Sequence, residues 1–139
     1  MTSSFEEKSV VVQLAGLILG LGAYIVVAGR LLAAGVREMA AFAGVFGVAV
    51  VVLVVFLVAG HIVAAIAGRP EDVDERDRLI GWRAEHRASW LLGCGALGAV
   101  ALMTAGVDNV WTANLLVLAL ALSEVLGLAL RLVDYRRGF

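Results

Sequence analysis

Two ionisable side chains stand inside otherwise apolar runs of this sequence, at matching depth. Glu124 lies seven residues before Arg131, and His61 lies eight residues before Arg69. If both runs are membrane-crossing helices, the carboxylate sits about 10 Å and the imidazole about 12 Å inside one boundary. An ionisable group at that depth is costly unless paired or neutral, so it turns towards other helices and is functional by default. A carboxylate beside an imidazole can share, accept and release a proton. The chemistry that fits the pair is proton-responsive binding or transport.

Arg83 and Arg87 arrive just below that level from a neighbouring segment, with His86 between them. The expected intramembrane polar cluster is therefore Glu124, His61, Arg83 and Arg87. It admits a second reading, in which Glu124 is a buried knot that fixes helix register and is satisfied by Arg87, Arg83 or His61. With two histidines and one cysteine in the chain, no metal site is expected. No nucleophile–base set, phosphate loop or dinucleotide fingerprint is present, so neither catalytic residues nor a cofactor are expected.

The elements that carry these residues follow from composition. The chain has 139 residues, 62% of them hydrophobic, with one proline and a net charge of −1. That is more apolar surface than a soluble domain of this size can hide, and the charge gives no field for nucleic acid. Four runs reach the roughly 20 residues a hydrocarbon core requires: residues 10–29, 40–67, 88–107 and 110–133. The connections are short, so the chain reads as one all-α unit over 1–139: an integral membrane four-helix bundle, up-down-up-down. Gly16 and Gly20, Ala43 and Gly47, and Ala119, Ser123 and Gly127 recur at four-residue steps. Such small residues let helices approach closely, within the chain or in a homo-oligomer. The N-terminal MTSSFEEKS lacks the basic start of a cleavable signal, so the first run is expected to be retained.

Residues 69–87 hold 11 of the 23 Lys, Arg, Asp and Glu side chains. Gly68 and Pro70 are expected to end the second span. Asp72 with Glu75 three residues on has capping-box spacing, and no helix breaker intervenes before Met103. The segment is thus expected to be a cytoplasmic helical extension of the third span. At about 100° per residue Arg76, Arg83 and Arg87 share a stripe, which is expected to face the other helices or lipid phosphates. Asp74, Asp77 and Glu85 are expected to face water. Placing both termini and this segment on one side gathers Lys8, five central arginines, Arg131, Arg136 and Arg137 there, against Arg30 and Arg37 opposite. The positive-inside rule then makes both termini cytoplasmic. Trp82 and Trp90 fall near the inner interface and Trp111 near the outer one. Asp74, Glu75, Arg76, Asp77, Arg78, Arg131, Arg136 and Arg137 form the expected charged cytoplasmic face.

The box Asp74-Glu75-Arg76-Asp77, followed by Ile80, Arg83 and Ala84, resembles a pattern in a family of small uncharacterised prokaryotic membrane proteins with four spans, a domain of unknown function. The tail Tyr135-Arg136-Arg137-Gly138 and the acid late in the last span, Glu124, are similar to that group as well. The resemblance implies the span layout and no reaction. The segment Arg83-Ala84-Glu85-His86-Arg87-Ala88-Ser89 resembles a motif of the membrane-associated eicosanoid and glutathione metabolism enzymes, which are four-helix trimers. Small multidrug-resistance antiporters also have four helices, but their essential acid lies in the first span, where this chain has none.

The leading functional expectation is a non-enzymatic component of the inner membrane, structural or regulatory. It would use its charged cytoplasmic face for a protein partner or anionic lipid headgroups, possessing no cofactor. The alternative is a small transporter or proton-coupled ligand binder centred on Glu124 and His61. A glutathione-dependent membrane enzyme ranks third.

Overall fold

A computed structural model describes residues 5–67 and 75–137. Those residues form four helices: α1 (Phe5–Ala33), α2 (Met39–Ala67), α3 (Glu75–Thr104) and α4 (Asn109–Arg137). Each has 29 or 30 residues, hence a length of about 44 Å. All four are long and apolar enough to cross a membrane. Each exceeds a hydrocarbon core of about 30 Å. Large apolar side chains cover the outside: Val48 is 66% exposed and Leu97 73%. Water would not tolerate so continuous an apolar surface, and it suits a multi-pass membrane protein.

Two hairpins make up the chain, and their turns are copies. Leu31-Leu32-Ala33-Ala34-Gly35-Val36 recurs as Leu102-Met103-Thr104-Ala105-Gly106-Val107. Gly35 and Gly106 take φ of 80° and 71°, the left-handed conformation that a side chain disfavours. In the first turn Gly35 N donates to Leu32 O (3.1 Å) and Val36 N to Leu31 O (3.0 Å). In the second, Gly106 N donates to Met103 O (3.1 Å) and Val107 N to Leu102 O (3.0 Å). This is the Schellman arrangement, which satisfies the last carbonyls of a helix. It stops α3 at Thr104, short of the residue 107 expected from apolarity alone. Asp108 then starts α4 by accepting a hydrogen bond from Val110 N at 3.2 Å.

Small residues set the packing within each hairpin. A Cβ on Gly16 would stand 2.8 Å from Cδ1 of Phe56, one on Gly20 3.1 Å from Cβ of Leu53, and one on Gly60 would meet Val12. Numbers rising along α1 thus pair with numbers falling along α2, so the two are antiparallel. On the other hairpin Gly95 lies against Ala119, and Gly98 against Leu115. The step Ala119, Ser123, Gly127 is the α4 side of this contact: Ser123 Oγ donates to Ala88 O at 3.0 Å, and Gly127 faces the Ala88 methyl. The expected small-residue seams in α1 and α4 are therefore used inside the chain. Ala43 and Gly47 of α2 are exposed instead.

The hairpins join through α1 and α4, while α2 meets α4 only at a margin. Tyr24, Ala28, Phe42, Ala49 and Val110 form the core of this junction. The ring of Tyr24 meets Phe46 edge-on, with centroids 5.5 Å apart.

Helix α3 runs unbroken from Glu75 to Thr104, so residues 75–87 of the charged stretch and the third span are one helix, as expected. Of the two surroundings expected for the arginine stripe, the other helices and lipid phosphates, the first is not found. Ile80, Gly81, Ala84 and Ala88 are the buried face, whereas Arg76, Arg83 and Arg87 are exposed. Of the acids, Asp77 is half-buried, while Glu85 is exposed, as expected, and lines a cavity against α4. The physical reason is size. Alanine and glycine let α3 sit close on α4, and a row of arginines would hold it off. Gly68, Pro70 and Asp72, invoked for the stop and the capping box, and Asp74, expected to face water, lie outside the described residues.

Candidate functional site

The residues that could do chemistry meet in a cavity of about 330 Å³ between α1, α3 and α4. It exists because the buried face of α3 there is Gly81, Ala84 and Ala88, opposite Ser123 and Gly127 of α4. Side chains this small keep the two backbones close yet leave the flank of the seam unfilled. Into that space come Gln13 from α1, Glu85 and Ser89 from α3, and Ser123, Glu124 and Arg131 from α4.

Each polar group has a definable state. Ser123 is buried and spends its hydroxyl proton on Ala88 O. Ser89 Oγ donates to His86 O at 3.0 Å, back along its own helix. Gln13 Nε2 donates to Ser9 Oγ at 3.2 Å, which leaves its carbonyl oxygen available as an acceptor. Arg131 reaches across to α3, its guanidinium carbon 3.6 Å from where a Cβ on Gly81 would stand. Asp77 and Arg131 stand near the buried Tyr135 hydroxyl, and neither Asp77 nor Tyr135 is part of the cavity lining. Glu124 is exposed and belongs to the lining.

Two carboxylates against one guanidinium make the lining net acidic. It offers oxygen acceptors on three helices, with the apolar Leu92 and Leu128 beside them. Such a set can hold a cation or a protonatable amine and can exchange a proton for it. Among the described residues no group of three or more His, Cys, Asp or Glu is arranged to hold a metal ion.

Of the four residues expected together, Glu124 is at the cavity, and Arg83 and Arg87 are exposed and outside its lining. The side chain of His61 lies outside the described residues. Arg131, assigned from sequence to the cytoplasmic face, belongs to the cavity, while Arg136 and Arg137 are exposed beyond it. Glu75, Arg76 and Arg78 are exposed at the start of α3. Gln13 and Glu85 were missed as site residues. The seven-residue step from Glu124 to Arg131 carried a usable signal, because two helical turns return to one face. Nothing in the sequence singled out Gln13.

No family model, no curated protein and no solved structure matches this chain.

Proposed function

We propose that the chain is a multi-pass protein of the inner membrane, four antiparallel spans with both termini cytoplasmic, that carries a proton-coupled ligand site at Glu124. The ligand class is a small organic cation or protonatable amine, held without covalent chemistry. The observation that supports this reading is the cavity itself, which exposed Glu124 lines together with Glu85 and Gln13. A carboxylate kept only to fix helix register would be enclosed by its counter-charge. A carboxylate that must alternate between proton and ligand needs room beside it.

The test uses tetraphenylphosphonium as a probe cation, titrated into purified protein by calorimetry at several pH values. Saturable binding that weakens as pH falls, and that Glu124→Gln reduces at least tenfold, is the expected result. Binding that is indifferent to both pH and Glu124→Gln would sink the reading.

A second reading is favoured by a separate observation. Arg76, Arg78, Arg83 and Arg87 are exposed on one helix together with Trp82 and Trp90. Arginines with interfacial tryptophans suit anionic headgroups, so this face docks the chain to anionic lipid or to an acidic protein partner and gives it a structural or regulatory role. The exposed Ala43 and Gly47 supply a close-packing seam for a homo-oligomer.

A further inference from the structure

A second cavity, of about 310 Å³, opens near the Gly35 and Gly106 turns, away from Glu124. Its walls come from Tyr24, Ala28 and Leu32 of α1 and from Trp111, Leu115 and Leu118 of α4. The side-chain polar groups of Tyr24 and Asn114 in this lining are engaged. Tyr24 donates to Asn114 Oδ1 at 3.0 Å, and Asn114 Nδ2 donates to Val110 O at 2.8 Å. What the cavity offers an occupant is hydrocarbon, along the seven residues from Trp111 to Leu118, or about 10 Å of helix.

Beside that wall the chemistry is different. Arg37 lies over the Trp111 ring, 5.2 Å from its centroid. Its Nη1 reaches Val36 O at 3.3 Å and Leu32 O at 3.5 Å. Trp111 and Leu32 both line the cavity, so these contacts place the guanidinium beside it, against two residues of its wall. Both bonds use Nη1, which leaves Nε and Nη2 as the fork that matches a phosphate. Asp108 accepts from Val110 N, and Glu38, next to Arg37 in the chain, is exposed.

We infer that this cavity is a lipid site: it takes an acyl chain of a bilayer phospholipid whose phosphodiester sits on Arg37. Hydrocarbon in the cavity and a guanidinium beside it are complementary to that amphiphile, and a membrane supplies it at high local concentration. The inference shares with the proposed function only the placement of the chain in a membrane, and it is independent of Glu124.

The test is native mass spectrometry of the full chain, released from detergent after titration with dimyristoylphosphatidylglycerol. Dimyristoylglycerol, which has the chains without the phosphate, is the parallel arm. One variant is Arg37→Gln. The other is Gly29→Phe, which fills the cavity from a position where a Cβ meets nothing within 4 Å. One retained phospholipid per chain is expected, weakened about tenfold or more in either variant, with the phosphate-free lipid retained poorly. Equal retention of the two lipids, or phospholipid retention unchanged in both variants, would overturn the assignment. A change of oligomeric state in Gly29→Phe without any retained lipid would overturn it in favour of a second copy of the chain. Recovery of the chain in the soluble fraction would remove the membrane placement itself, an outcome distinct from a membrane-bound chain that retains no lipid.

Discussion

Tyr24 donates a hydrogen bond to Asn114 at 3.0 Å, and this contact joins α1 of the first hairpin to α4 of the second. The two hairpins are held together mainly by the α1–α4 junction, so a polar contact there acts on the assembly rather than on either half. Tyr24 is 4% exposed and also packs edge-on against Phe46. Asn114 is pre-oriented by its own bond to Val110 O. Tyr24→Phe keeps the ring and removes the donor. The expected loss is about 1 kcal/mol, the usual worth of one interhelical hydrogen bond in lipid. Reversible unfolding in mixed micelles measures it. A larger loss for Tyr24→Ala, about 3 kcal/mol, would report the aromatic packing separately.

Gly95 and Ala119 are in direct contact across the α3–α4 seam, with no room for a methyl group. Gly95→Ala should therefore force the helices apart and destabilise the hairpin by about 1 to 3 kcal/mol, although alanine is the better helix former. Removing the opposing methyl with Ala119→Gly should restore part of that loss in the double variant. A double-mutant cycle in the same unfolding assay checks this. Additive losses with no recovery would mean that the seam does not carry the contact.

The four helices were legible because each run exceeds the length a membrane requires, and continuity of α3 was legible because nothing breaks it. Which of two surroundings the arginine stripe of α3 meets, other helices or lipid phosphates, was not. Periodicity groups Arg76, Arg83 and Arg87 on one stripe, but it cannot say which stripe is turned inward. Ile80, Ala84 and Ala88 at four-residue steps, with Gly81, were the signal that decides it, since close packing on α4 demands small residues. The copied turn was also on the page as Ala-Gly-Val at 34–36 and 105–107. The cavity at Glu124 was legible only in its acid. Its other walls depend on how three helices cross, which no local pattern encodes.

Because the turns share one conformation, they should respond alike to one substitution. Gly35→Ala and Gly106→Ala each place a Cβ in the left-handed region, at φ of 80° and 71°. Each should lower stability by about 1 to 2 kcal/mol, and the two losses should agree closely. No atom stands within 4 Å of a Cβ at either position, so the loss comes from backbone strain and not from a clash. Thermal melting of the single variants, with Gly→Asn at the same sites as the milder left-handed residue, measures the effect.

Glu124 and the α3 arginines separate the two functional readings. Glu124 is exposed and lines its cavity, and Arg83 and Arg87 lie outside that lining. Glu124→Gln should therefore change stability by no more than about 0.5 kcal/mol, as exposed substitutions do, while removing pH-dependent cation binding. Paired removal of Arg83 and Arg87 should leave cation binding intact. It should weaken attraction to anionic lipid by about 1 kcal/mol for each arginine, in a salt-dependent manner. Cation titration and fluorescence quenching by anionic vesicles, run on the same preparations, distinguish the outcomes. If Glu124→Gln instead costs about 3 kcal/mol or more of stability, the carboxylate is a buried structural partner and the cavity is not its site of action.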